Sequence, residues 1–232
     1  MCSATIDIKI KKNIFTIIFV LILMAHPVFA DSIGKFTDIR GDVSLERLKM
    51  FIKPKINDVI QIKDLVITGD YGRTKLMLID SSLLTIGNNS KVEITDFLLD
   101  VNLRKGIILI KAGALHTRAE KFLEINSRFE VRTPTAVIGA RGTEWFTEIN
   151  AKEGTTVFSI ADVIRVYNPA YPNQPVNVKD GYFTVIEKGK LPTKPEPYCP
   201  SDLYIIMKKW GAEEGLNNRK LKVSDEICNR VR

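Results

Sequence analysis

Apolar and polar residues alternate over much of the chain, and this period of two restricts the fold more than any other feature of the sequence. Successive side chains of a strand point to opposite faces, so the alternation predicts half-buried strands. No amphipathic segment of helical length precedes Pro200, which argues against a doubly wound α/β fold. The alternation is clearest in four pairs of apolar residues, each separated by one polar residue: Val43 and Leu45, Val92 and Ile94, Phe129 and Val131, and Val176 and Val178.

Turn-forming residues separate these runs at short intervals. Glycine and asparagine reach the left-handed conformation that tight turns require. Many short strands spaced in this way predict an all-β domain over residues 31–188. The residues alone leave two arrangements open, a sandwich or barrel and a stack of coils in which each strand pairs with its neighbour. The signals include Gly41-Asp42, Gly69-Asp70, Gly87-Asn88-Asn89, Gly113, Gly142 and Asp180-Gly181.

The first 30 residues have the pattern of a secretory signal peptide. Three lysines precede the apolar run 14–25, and Val28-Phe29-Ala30 ends the segment before Asp31. The run is shorter than the roughly 20 residues that span a bilayer, and Pro27 interrupts it, so a cleaved signal is favoured over a retained anchor. We therefore expect export to the periplasm or the cell envelope.

The charge of the chain is mildly basic. The formal net charge is +7, and loss of residues 1–30 removes three lysines and one aspartate, which leaves +5. Such a surface favours anionic surroundings, such as an envelope polymer or lipid head groups, without requiring them. The basic residues are scattered, with no run of five or more, so the sequence does not predict nucleic-acid binding.

Few residues could support a metal site. Removal of the signal leaves two cysteines, Cys199 and Cys228, and a single histidine, His116. An even pair of cysteines in an exported chain predicts a disulfide. One histidine cannot complete a Cys/His zinc site, and we expect His116 to have a packing or surface role. No cofactor is predicted.

The stretch TPTAVIGARGTEW, residues 133–145, contains the most distinctive motif. Phosphate-binding loops lead from a strand into a helix, whereas here another predicted strand follows the glycines. We therefore predict a structural motif in which Arg141 stabilises the turn, with Glu144 as its nearest candidate partner. The glycines would allow close approach of adjacent layers. The motif consists of Gly139, Ala140, Arg141, Gly142, Thr143 and Glu144.

Catalysis is not predicted. There is no Gly-x-Ser-x-Gly turn with histidine partners. Glu144 and Glu148 fall on one face of a strand but about 13 Å apart, which is too far for a glycosidase pair. A structural or surface role is therefore favoured for both glutamates. A hydrolase of envelope glycan, with acids brought together only by the fold, remains the alternative.

The C-terminal part differs in composition. Residues 189–200, GKLPTKPEPYCP, predict a proline-rich connector, and residues 201–232 a helical tail whose helix Ser201 would cap. The helix has an apolar stripe that ends at Trp210, for which docking onto the β-domain is favoured over a partner-binding or membrane-surface role. Tyr167 and Tyr171 in the preceding loop either cover the core or contact a partner.

Four stretches in order carry a resemblance to the FecR-type domain over about residues 33–185. They are IRGDVSLE, VITGDYGRTKLMLIDSSLLTIGNNSKVEI, the segment from Gly113 to Trp145, and VNVKDGYFTVI. The most specific part is Ala140 to Glu144, preceded by Val131-Arg132-Thr133-Pro134. Near Ile160-Ala161-Asp162-Val163 the chain lacks the glycine that the family commonly shows.

The resemblance implies an exported, solenoid-like β-domain that binds and relays rather than catalyses; a β-sandwich or jelly roll is the alternative. In the regulators that gave the family its name, the domain couples an outer-membrane transporter to a cytoplasmic sigma factor. Here no anti-sigma segment precedes the signal and no membrane span is expected to remain, so we expect a freestanding envelope protein. Its partner would be an envelope protein or a wall polymer.

Overall fold

The computed structural model of this protein describes residues 32–122, 127–150, 154–213 and 228. The predicted signal peptide, residues 1–30, and most of the predicted tail beyond residue 213 lie outside the described residues. Among those described, no helix has the length and hydropathy that a membrane span requires.

Strands make up most of the described chain. In chain order they are β1 (Ser32–Arg40), β2 (Val43–Arg47), β3 (Met50–Ile52), β4 (Val59–Gln61), β5 (Leu65–Thr68), β6 (Arg73–Leu78), β7 (Leu83–Ile86), β8 (Lys91–Asp100), β9 (Leu103–Ala112), β10 (Ala114–Arg118), β11 (Arg128–Arg132), β12 (Val137–Ala140), β13 (Glu144–Ile149), β14 (Thr155–Ala161), β15 (Ile164–Tyr167), β16 (Val176–Val178), β17 (Tyr182–Ile186) and β18 (Glu196–Pro197). A helix, α1 (Pro200–Lys209), follows β18. The predicted all-β class with a short C-terminal helix is confirmed.

The strands form two open sheets of nine strands each. The first has the order β18-β17-β14-β13-β10-β7-β6-β1-β4, and the second β16-β15-β12-β11-β9-β8-β5-β2-β3. Neighbouring strands are antiparallel except β9 and β11, which are parallel. The chain passes repeatedly from one sheet to the other, and each return adds strands beside those already placed. Among the described strands, neither sheet closes on itself.

The main core lies between the two sheets. It contains buried side chains from the first sheet, such as Phe36 and Trp145, and from the second, such as Val43 and Phe129. The rings of Phe129 and Trp145 meet edge to face with their centroids 6.2 Å apart. The period-two alternation produces this core, because every second residue of a strand points to the same face.

Helix α1 covers the outer face of the first sheet. Leu203 and Met207 are buried with Phe146 and Phe158 in a second apolar cluster, against which Trp210 also packs. The helix begins at Pro200, one residue before the predicted cap Ser201, with Cys199 at the N-cap. Proline suits the first helical position because its fixed φ is helical and no hydrogen bond is lost there.

The predicted connector takes part in the sheet. Glu196 and Pro197 pair with Phe183 and Tyr182 at the edge of the first sheet. Cys199 is buried, and the structure has no disulfide between Cys199 and Cys228. The predicted disulfide therefore stays a prediction.

Tyr198, just before the helix, binds the first sheet through its hydroxyl, and this buried phenol should make the free energy of unfolding depend on pH. Its hydroxyl donates to the Ser159 carbonyl over 2.7 Å, and its ring meets that of Phe158 edge to face. Burial, with the nearby Asp180 and Glu144 carboxylates, raises the pKa of the Tyr198 phenol above its ordinary value.

A raised pKa means that the folded state holds the proton more tightly than the unfolded state. The resulting stability is complete below the unfolded pKa of about 10 and is lost as pH rises towards the folded pKa, at roughly 1.4 kcal/mol per pH unit. Tyr198→Phe should lower the free energy of unfolding at neutral pH by about 1 kcal/mol. It should also flatten the alkaline loss, measured by urea denaturation at several pH values. Equal alkaline slopes for the two proteins would contradict this prediction.

Candidate functional site

The arginine motif joins the two sheets. Gly139 and Ala140 end β12 in the second sheet, Arg141 to Thr143 form the turn, and Glu144 begins β13 in the first sheet. A strand follows the glycines, so this turn lacks the helix N-terminus with which a phosphate-binding loop holds its ligand.

Gly142 is required by the geometry of the turn. Its φ is +99°, and a Cβ placed on it would lie 2.2 Å from the Lys121 Cα. Both the backbone conformation and the close approach exclude other residues here. The adjacent Thr143 carbonyl accepts a hydrogen bond from Ala119 N over 2.9 Å, which further ties this turn to the neighbouring segment.

Glu144 does not pair with Arg141 as predicted. Glu144 is buried, and its Oε1 lies 3.0 Å from Nε2 of His116, which is buried as well. Arg141 is exposed in the turn after β12, whereas Glu144 points to the outer face of the first sheet. The partner of Glu144 comes from β10, because β10 and β13 are neighbours in that sheet.

Glu148 is engaged on the same face. Its Oε2 accepts a hydrogen bond from the Trp210 indole over 2.6 Å, and this bond links β13 to the end of α1. Of the two glutamates considered as a catalytic pair, Glu144 therefore joins β13 to β10 and Glu148 joins β13 to the end of α1. In the described part of the chain, no group of three or more His, Cys, Asp or Glu side chains could hold a metal ion.

An open cleft of about 610 Å³ lies on the second sheet where β11, β12, β15 and β16 run side by side. Arg141 and Gly139 line it together with residues that the sequence reasoning did not single out. Its chemically informative lining residues are Arg128, Glu130, Arg141, Arg165, Tyr167 and Asn177.

Among the described residues, some charged side chains of the cleft are paired with an opposite charge and others are not. Glu130 is buried between two arginines, with Oε1 3.2 Å from Arg128 Nε and Oε2 2.7 Å from Arg132 Nη2. Within the residues that the structure describes, the guanidinium groups of Arg141 and Arg165 form no ion pair or hydrogen bond. The cleft therefore presents two positive charges that are available to a ligand.

Gly139 leaves part of the cleft floor without a side chain. A Cβ placed on Gly139 would meet only the Arg165 carbonyl, at 3.9 Å, so this glycine is not required by packing. Because Gly139 has no side chain, a strip of sheet backbone is exposed there, and a ligand can approach it closely.

The structure brings together some of the predicted contact residues and separates others. Tyr167 lines the cleft beside Arg141, whereas Tyr171 lies outside it and its hydroxyl donates to the Gly189 carbonyl over 3.3 Å. Trp210 is at the end of α1, on the outer face of the first sheet, where it packs against the second apolar cluster. Arg165 could have been noticed from its position between the apolar Ile164 and Val166, which places it on the outer face.

Residues 64–162 match the family described as FecR protein. Over these residues the chain is similar to the FecR family. The match spans β5 to β14, whereas β1 to β4 and β15 to β18 lie outside it and complete the same two sheets. Thus Arg141 and Gly139 belong to the matched FecR segment, while Arg165 and Tyr167 come from strand β15 beyond it.

Solved structures give a more distant likeness. Two crystal structures of a protein provisionally assigned as an anti-sigma factor, from Parabacteroides distasonis ATCC 8503, share 13% and 12% identity, each with a TM-score of 0.49 over 61% of this chain. The chain covers 63% and 64% of them, which is less than two thirds of their length. A cell surface anchoring domain shares 30% identity over 28% of this chain and 88% of its own, with a TM-score of 0.28. No curated protein matches the chain.

Proposed function

We propose that this chain is an exported, non-enzymatic binding and signal-relay module of the cell envelope. The observation that carries the proposal is the cleft in which Arg141 and Arg165 stand beside Tyr167 and the bare backbone at Gly139. Its partner would be an envelope protein or a wall polymer that presents anionic groups on an extended segment.

The chemistry of the cleft supports a ligand of this kind. A guanidinium fork binds a carboxylate or phosphate through two parallel hydrogen bonds. A tyrosine ring at the rim offers an apolar face for a sugar ring or a peptide side chain, with a polar tip towards water. Arg128 and Arg132 hold Glu130 in place, so its carboxylate is compensated and would repel an anion less.

The proposal extends to the cellular location and the architecture. The lysine-rich, apolar start of the sequence supports export, after which a chain of mild positive charge would face an anionic envelope. The order of strands in the two sheets nearly follows the order of the chain, which supports a solenoid-like stack of successive strand pairs.

The hydrolase alternative finds no support in the geometry. Glu144 lies buried against His116, and Glu148 accepts the Trp210 indole hydrogen bond. A glycosidase needs one carboxylic acid and one carboxylate that both reach the scissile bond. Glu144 instead joins two strands of the first sheet, and Glu148 joins that sheet to the end of α1.

A paired substitution tests the cleft. The purified protein would be immobilised and incubated with solubilised envelope material, and the retained protein and glycan would be quantified. Because each lost charge-assisted hydrogen bond weakens binding, Arg141→Ala with Arg165→Ala should reduce retention by at least about ten-fold. The free energy of unfolding should change by no more than about 0.5 kcal/mol, since both side chains are on the surface.

The matched control removes the same charge elsewhere. Lys91→Ala with Arg118→Ala alters two exposed basic residues outside the cleft. Retention by this variant should equal that of the unmodified protein. If the cleft variant retains its ligands fully, or if the control loses them equally, the cleft is not the binding site.

A further inference from the structure

The hairpin of β2 and β3 exposes apolar side chains at one end of the molecule. Leu48 in its turn is 86% exposed and Phe51 is 71% exposed, and Met50 and Ile52 are exposed beside them. Strand β3 is the edge of the second sheet, at the opposite end of that sheet from the β15–β16 edge and its cleft. Contiguous exposed apolar residues of this kind indicate an interaction surface.

The turn of this hairpin has an unfavourable sequence for its conformation. Leu48 and Lys49 both have positive φ, 52° and 64°, between the paired residues Arg47 and Met50. Two-residue hairpin turns of this type favour asparagine and glycine, because a leucine side chain is strained there. Leu48 therefore strains the backbone and also exposes an apolar side chain to water. Neither feature helps the hairpin to fold, which indicates that Leu48 has another role.

The base of the hairpin is held firmly. Arg47 donates from Nε and Nη2 to the two carboxylate oxygens of buried Asp64 over 2.8 and 2.6 Å, and Nη2 also reaches the Val59 carbonyl. A fork of two parallel hydrogen bonds fixes orientation as well as distance. The exposed apolar tip is therefore presented on a rigid support.

Lysines surround the apolar tip. Four of them are exposed, at positions 49, 53, 55 and 63, and further apolar residues, Ile56, Val59 and Ile62, are exposed in the same segment. Among the acidic side chains of this segment, Asp64 forms an ion pair with Arg47, while Asp58 accepts from the Lys55 backbone N–H and Glu46 lies opposite Phe51 in the hairpin. The four exposed lysines therefore outnumber the two remaining carboxylates. Apolar side chains surrounded by lysines suit an anionic lipid surface, in which negatively charged phosphates lie next to apolar acyl chains.

A second copy of the chain fits this edge less well. Antiparallel pairing of two β3 strands about Phe51 would place Lys49 of each copy opposite Lys53 of the other. Like charges directly opposite each other destabilise a strand pair, and lysines at an edge strand discourage such pairing. Pro54 follows at once and removes one of the N–H groups that a longer ladder would need.

We infer that the β2–β3 hairpin is a membrane-contacting tip that binds an anionic phospholipid surface. Leu48 and Phe51 insert into the head-group region, while Lys49, Lys53 and Lys55 lie against lipid phosphates. The contact holds the protein peripherally at the bilayer and leaves the cleft at the other end of the second sheet accessible.

Vesicle co-sedimentation of the purified protein tests this inference. Binding is expected to vesicles of phosphatidylglycerol and phosphatidylethanolamine, and much less to phosphatidylcholine alone. Leu48→Asn with Phe51→Gln should lower the partition coefficient by about ten-fold or more. Asparagine is tolerated at positive φ, so thermal stability should not fall. Lys49→Gln with Lys53→Gln should also lower the partition coefficient by about ten-fold or more.

Another hairpin tip supplies the control. Val101, between β8 and β9, is 85% exposed, and the carboxylate of the adjacent Asp100 accepts from its backbone N–H. Val101→Gln should leave partition unchanged. The inference is overturned if anionic vesicles bind no better than neutral ones, or if Val101→Gln matches the loss caused by the Leu48 and Phe51 variant. It is also overturned if Phe51→Gln converts a dimer into a monomer without affecting vesicle binding.

Discussion

Arg104→Ala is expected to lower the free energy of unfolding by about 3–5 kcal/mol, because it removes one partner of a buried ion pair. Arg104 is 4% exposed and forms an ion pair with Asp80, whose side chain is also buried. Its guanidinium donates to Ser82 Oγ over 2.6 Å and to the Glu120 carbonyl over 2.5 Å. Alanine would leave the Asp80 carboxylate without its cation in a desolvated site.

The neighbouring residue provides a control for Arg104. Lys105 forms an ion pair with Asp96 in which both side chains are more than one third exposed. Lys105→Ala should change the free energy of unfolding by about 0.5 kcal/mol or less, since water screens this pair. Urea denaturation of both variants measures the difference. Similar losses for the two would mean that the Arg104 pair contributes no more than a surface ion pair.

Trp145→Ala is the second substitution with a large expected effect, again a loss of about 3–5 kcal/mol. The indole is fully buried in the core between the two sheets, where it meets Phe129 of the opposite sheet. Alanine would remove most of the side-chain volume and leave a cavity that β13 and β11 cannot fill by small movements. Both the lost apolar burial and the lost packing contribute.

A ring-preserving variant separates packing from polarity at Trp145. Among the described residues, the Trp145 indole N–H is buried without a hydrogen-bond partner. Trp145→Phe keeps an aromatic ring and removes that unsatisfied donor, so it should cost distinctly less than alanine. Denaturation with guanidinium chloride measures both, and Tyr71→Ala serves as an exposed-residue control. Equal costs for Phe and Ala at position 145 would contradict the packing explanation.

The sequence was sufficient to predict the strands, since alternation is a local property. Val92 and Ile94 are buried on β8, and Phe129 and Val131 on β11, as their period of two predicts. The arrangement of those strands in two open sheets depends on pairings between distant segments. The parallel pair of β9 and β11 is an example, and no local pattern specifies it.

The candidate site was only partly predictable for the same reason. Arg141 was identified from its glycine-rich turn, but the partner of Glu144 is His116, which is 28 residues away in the sequence. Arg165 joins Arg141 in the cleft because β12 pairs with β15. These neighbours follow from the order of strands in each sheet, and a single sequence gives that order no distinct signal.

The helix at the C-terminus shows how packing resolves an ambiguous pattern. Its apolar stripe was compatible with docking, with a partner or with a membrane surface. In the structure Leu203 and Met207 are buried against the first sheet, and the Trp210 indole binds Glu148. An amphipathic helix of ten residues has too little intrinsic stability to form alone, which favours docking onto an existing apolar face.

Site-specific photocrosslinking in growing cells tests the central claim most directly, namely that the cleft around Arg141 binds an envelope partner. A photoreactive residue would replace Asn177, which lines the cleft without contributing charge. The account predicts a discrete crosslinked adduct in the envelope fraction that disappears when Arg141 and Arg165 are replaced by alanine. A reactive residue at exposed Tyr71 should not give this adduct. The same adduct from both positions, or none from position 177, would contradict the claim.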